Sequence, residues 1–64
     1  MINSEWINEF LDGISEPIFK VEFENRFNSF AIGKNLSRGD YYLYKNIVKN
    51  KLIQENKIKF GETA

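Results

Sequence analysis

The chain has 64 residues, with nine basic and nine acidic side chains and neither cysteine nor histidine. That length allows one domain, 1–64, near the lower size at which a chain folds alone. The missing residue types exclude a disulfide framework, thiolate or imidazole metal sites, and the usual nucleophile–base pairs of hydrolytic enzymes.

Phe, Trp and Tyr make up 16% of the chain, and rings of that size let few residues close a core. No apolar run approaches the roughly 18 residues of a membrane span. Residues 1–5 lack the basic start and apolar centre of a signal peptide. The expectation is a cytoplasmic protein away from membranes that is not an enzyme, with no cofactor, no metal and no small-molecule substrate. Charge is balanced but unevenly placed. Residues 1–31 hold six acids against two bases, and residues 32–64 hold seven bases against three acids. A local basic face is what a phosphate backbone feels, whatever the net charge.

The first predicted element is a helix over 4–14. Trp6, Ile7, Phe10, Leu11 and Ile14 follow helical three–four spacing, with Glu5, Asn8, Glu9 and Asp12 opposite. Asn3 or Ser4 caps it, and Gly13, Ser15 and Pro17 stop it. An extended piece over 17–19 follows. From there two patterns compete. Phe19, Val21 and Phe23 alternate with charged residues, as in a strand. Phe19, Phe23, Phe27 and Phe30 step by four, four and three, as in a helix. A helix over 20–30 covers more of the aromatics. A β-hairpin over 18–32, giving an α-β-β-α domain, is the alternative.

Residues 31–36 read as a compact connection. Ser37 is a helix cap, with Asp40 three residues on as a variant capping box. The third helix runs over 38–50 with Tyr41, Tyr44, Val48 and Leu52 on one stripe. A hairpin over 52–60 turns about Glu55-Asn56, and 61–64 form a frayed tail. Gly33-Lys34 lacks the earlier glycine of a phosphate-binding loop, since position 28 is Asn28. Arg38-Gly39-Asp40 spells an integrin tripeptide by coincidence.

At about 100° per residue, the third helix puts Arg38, Tyr42, Lys45, Asn46, Lys49 and Asn50 away from its core stripe, with no acid among them. Such side chains contact DNA well: Arg and Lys meet phosphates or guanine, Asn pairs with adenine, and Tyr reaches phosphate or sugar. They are also ordinary solvated surface. Their place after a helix and a short turn, and before a basic hairpin, favours the DNA reading.

The order of helix, extended piece, helix, turn, helix and hairpin resembles the winged helix-turn-helix family. The stretch from Leu36-Ser37-Arg38-Gly39-Asp40-Tyr41 to Leu52-Ile53 looks like that family's recognition helix. Lys51 departs from the family's frequent glycine, and the turn Glu55-Asn56 lacks one too. The resemblance implies a mainly α, three-helix domain that binds duplex DNA in transcription regulation or as an accessory protein. Arg38, Tyr42, Lys45, Asn46 and Lys49 would enter the major groove, and Asn50 lies on the same face. Lys57 and Lys59 of the wing would touch the backbone or minor groove. A site this small calls for a homodimer, tandem binding or a protein partner. The rival reading is a small protein-binding inhibitor or adaptor, of the kind a mobile element encodes. It would act through exposed tyrosines, because Tyr41, Tyr42 and Tyr44 do not all fit inside.

Overall fold

Asn3 starts the first helix. Its side chain accepts the N–H groups of Glu5 and Trp6 at 3.0 and 3.3 Å, satisfying donors that the helix itself leaves free. The computed structural model describes residues 2–59. Helix α1 spans Ser4–Asp12, strand β1 Ile18–Phe19, helix α2 Lys20–Gly33, helix α3 Arg38–Gln54 and strand β2 Ile58–Lys59. The described chain is therefore mainly helical, with a small two-stranded sheet.

Helix α1 turns Ile7 and Phe10 inward. After it, Ile14 and Ile18 are also buried. Helix α2 contributes Phe23, Phe27 and Ala31, and α3 contributes Tyr44, Val48 and Leu52. Each triplet keeps one stripe at helical spacing. Ile58 closes the core from β2. The single buried hydroxyl of this set is satisfied, because the Asn3 N–H donates to the Tyr44 hydroxyl at 2.7 Å.

The two long helices end in the same way. Asn35 and Asn56 adopt left-handed backbone, with φ of 55° and 61°. Behind them, the Leu36 N–H donates to the Ala31 carbonyl at 3.1 Å and the Lys57 N–H to the Leu52 carbonyl at 2.8 Å. These are Schellman closures with asparagine in the place that glycine usually takes. Asparagine tolerates that conformation better than other side chains.

Several boundaries differ from expectation. Helix α1 stops two residues early, at Asp12. Helix α2 runs on to Gly33, so Ala31-Ile32-Gly33 are helical, because Ala31 completes the buried stripe of Phe23 and Phe27. The β-hairpin over 18–32 is not formed, since all but the first two of those residues lie in α2. The hairpin over 52–60 is not formed either. Leu52-Ile53-Gln54 continue α3 to Gln54, because Leu52 extends the stripe of Tyr44 and Val48. The turn at Asn56 instead sends β2 back to β1. The two strands pair in parallel, Ile18 with Ile58 and Phe19 with Lys59. Phe60 and the tail 61–64 lie outside the described residues.

Asn56→Gly is expected to keep or slightly raise stability, and Asn56→Ala to lower it by about 1 kcal/mol, because alanine bears the full left-handed penalty. Urea unfolding followed by circular dichroism measures both.

Candidate nucleic-acid interface

Ser37 fixes where α3 begins, its hydroxyl accepting the Asp40 N–H at 3.2 Å. With Tyr44, Val48 and Leu52 turned inward, the opposite face of α3 meets solvent. Arg38, Tyr42, Asn46 and Asn50 are exposed there, and Lys49 is half-buried. Tyr42 is 59% exposed, against 1% for Tyr44. Tyr41 lies between them, its hydroxyl donating to Asn28 Oδ1. The three tyrosines thus divide into core, flank and surface.

The structure separates the other expected residues from this face. Lys45 borders it but is ion-paired with Glu24 of α2, and its ammonium lies 5.4 Å from the Tyr41 ring centre. The hydrogen bond to Glu24 raises the Lys45 pKa above its ordinary value, against the opposing pull of burial. Lys57 is turned toward the end of α1, donating to the Ile14 carbonyl at 3.2 Å and lying 3.6 Å from Glu55. Lys59 is exposed, but it sits in the parallel sheet with its ammonium 5.0 Å from the Phe19 ring centre. Lys57 and Lys59 therefore do not form a hairpin wing beside α3.

One residue of the face escapes sequence reasoning. Ile53 is 41% exposed and falls on the outward side of α3, whereas the apolar pair Leu52-Ile53 reads as a strand. The bridges Tyr41–Asn28 and Lys45–Glu24 step four residues along α3 and four back along α2. Lys20 is exposed at the start of α2. Among the described residues, Arg26, Lys34, Lys45 and Lys57 have carboxylate partners. Lys20, Arg38, Lys49, Lys51 and Lys59 have none there.

Outside this face, a polar notch of about 260 Å³ is lined by Ser15, Glu16, Glu22 and Arg26 among others. Its mixed charge favours no one class of ion. No group of three or more carboxylates among the described residues is placed to hold a metal. No described helix is long and apolar enough to cross a membrane. No protein-family model, curated protein or solved structure matches the chain.

The Lys45–Glu24 pair carries a pH signature. Because the folded-state pKa of Lys45 is raised, its stabilisation is complete below the unfolded lysine value of about 10.4 and is lost as pH rises through the higher folded value. Glu24→Gln is expected to cost about 0.5–1 kcal/mol near neutral pH, roughly 2–8 °C in Tm. That gap should close above about pH 10.4 in thermal melts of the two proteins.

Proposed function

We propose that this protein binds duplex DNA through the outward face of α3, as a small helix-turn-helix regulatory or accessory protein. One observation carries the reading. The solvent face of the longest helix presents Arg38, Tyr42, Asn46, Lys49 and Asn50 together, with no acid among its exposed side chains. A helix about 10–12 Å across with its side chains fits the major groove. Arg38 stands at the N-terminal end of α3, the end that faces base edges in helix-turn-helix docking. Asn46 and Asn50 then lie one turn apart to read bases, while Lys49 and Tyr42 meet phosphate and sugar. In this reading the family's wing is reduced to the single strand β2, so α3 supplies most of the contact.

The second reading has its own support. Tyr42, Leu43 and Ile53 are 59%, 46% and 41% exposed on the same helix. Tyrosine and large apolar side chains anchor protein interfaces. A protein-binding adaptor or inhibitor would use these residues and ignore Arg38 and Lys49.

Fluorescence anisotropy with a random duplex across a salt series separates the two. Binding should weaken steeply with salt. Arg38→Ala and Lys49→Ala should each weaken it several-fold and flatten the log–log salt slope by about 0.9. Glu24→Gln should tighten binding, because it frees Lys45 and removes a negative charge beside the face. The absence of binding at low salt, with capture of a protein that depends on Tyr42, would establish the second reading instead.

A further inference from the structure

Helix α2 has an outer face that the described chain leaves exposed, with Tyr41 reaching only its edge at Asn28. Val21, Asn25, Asn28 and Ile32 follow each other by four, three and four residues, opposite the buried stripe of Phe23 and Phe27. All four are exposed, Val21 at 60% and Ile32 at 80%. That spacing is the d–a–d–a seam of a two-stranded coiled coil. The seam carries no charge. The acids that border it are already engaged, Glu22 by Arg26 and Glu24 by Lys45.

We propose that this face is a homodimer contact, in which α2 packs antiparallel against α2 of a second copy about a two-fold axis between Asn25 and Asn28. The order of residues is what selects a second copy. A two-fold contact requires one patch to complement itself. Reversing the seam places Val21 against the partner's Ile32, and Asn25 against the partner's Asn28, so apolar meets apolar and amide meets amide. Tyr41 donates to Asn28 Oδ1, which fixes that amide with its NH₂ free to donate to the partner's Asn25. Central asparagines hold register at some cost in strength. Because no charge lies on the seam, no like charges meet across the axis. Ile32 also forms one wall of an open cleft of about 440 Å³ that includes Ala31, Leu36 and Tyr41. The partner's first turn of α2, with Val21, covers its mouth.

The contact is small. Fourteen residues of helix give a strip about 21 Å long and roughly 10 Å wide, well short of the roughly 800 Å² per partner of a stable interface. The dimer is therefore transient, with a Kd of order 0.1–1 mM. It uses a different helix from the DNA face, so either holds without the other.

Sedimentation equilibrium of the full chain, without DNA, tests this from about 10 µM to 1 mM. The mean mass should climb from 7.6 kDa toward about twice that value as concentration rises. Val21→Lys and Ile32→Glu, each at an exposed position and checked by circular dichroism, should stay near the monomer mass. The double variant should associate again, because every introduced lysine then faces a glutamate, and salt should weaken it. A wild-type mass that stays at the monomer value to 1 mM, or single variants that associate as well as wild type, would overturn the proposal. A folded double variant that remains monomeric would overturn the antiparallel register on which it rests.

Discussion

The packing converges on Phe10. Its ring lies edge-on to Phe23, Phe27 and Phe30 of α2, with centres 6.0, 5.5 and 5.3 Å away. Edge-to-face pairs at these distances gain beyond the area they bury. Phe27 passes the contact on, meeting Tyr41 of α3 edge-on at 5.2 Å, while Trp6 meets Tyr44 at 6.0 Å. One line of rings thus ties three helices together. A chain this short has no disulfide or thiolate metal site to fall back on, so these rings supply what a larger core supplies elsewhere. Because the links between α2 and α3 are long side chains, polar groups span the two helices at their outer edge. Tyr41 reaches Asn28 and Lys45 reaches Glu24. That geometry turns the rest of α3 toward solvent.

Much of this was legible locally. The three–four spacing of Trp6, Ile7 and Phe10 marks α1, and the four–four–three steps of the phenylalanines mark α2 against a competing strand pattern. Ser37 marks the start of α3. The C-terminal hairpin failed for an identifiable reason. Leu52-Ile53 is short and apolar, which local pattern reads as either strand or helix. Yet Leu52 already belonged to the stripe of Tyr41, Tyr44 and Val48, and the longer period prevailed. The partner of β2 is β1, forty residues earlier. Two-residue strands in parallel pairing leave no alternation or turn signature from which to foresee them.

The candidate face was legible in part for the same reason. A helical wheel correctly gathers Arg38, Tyr42, Asn46, Lys49 and Asn50, because that grouping depends on α3 alone. It is blind to what α2 brings. Glu24 is 21 residues from Lys45 in sequence, and Ile14 is 43 from Lys57. Those contacts withdraw two of the expected cations. The uneven halves of the sequence are partly paired across the fold. Glu9 takes Lys34 and Glu24 takes Lys45. The positive surface left over is smaller than the sequence implies and more sharply placed on α3.

The most direct test of that placement is a ¹H–¹⁵N spectrum of the labelled protein titrated with a short duplex. Binding through α3 predicts shifts concentrated at Arg38, Tyr42, Asn46, Lys49 and Asn50, and little at the exposed residues of α1. An unchanged spectrum at low salt, or shifts that map to α1, would contradict the account.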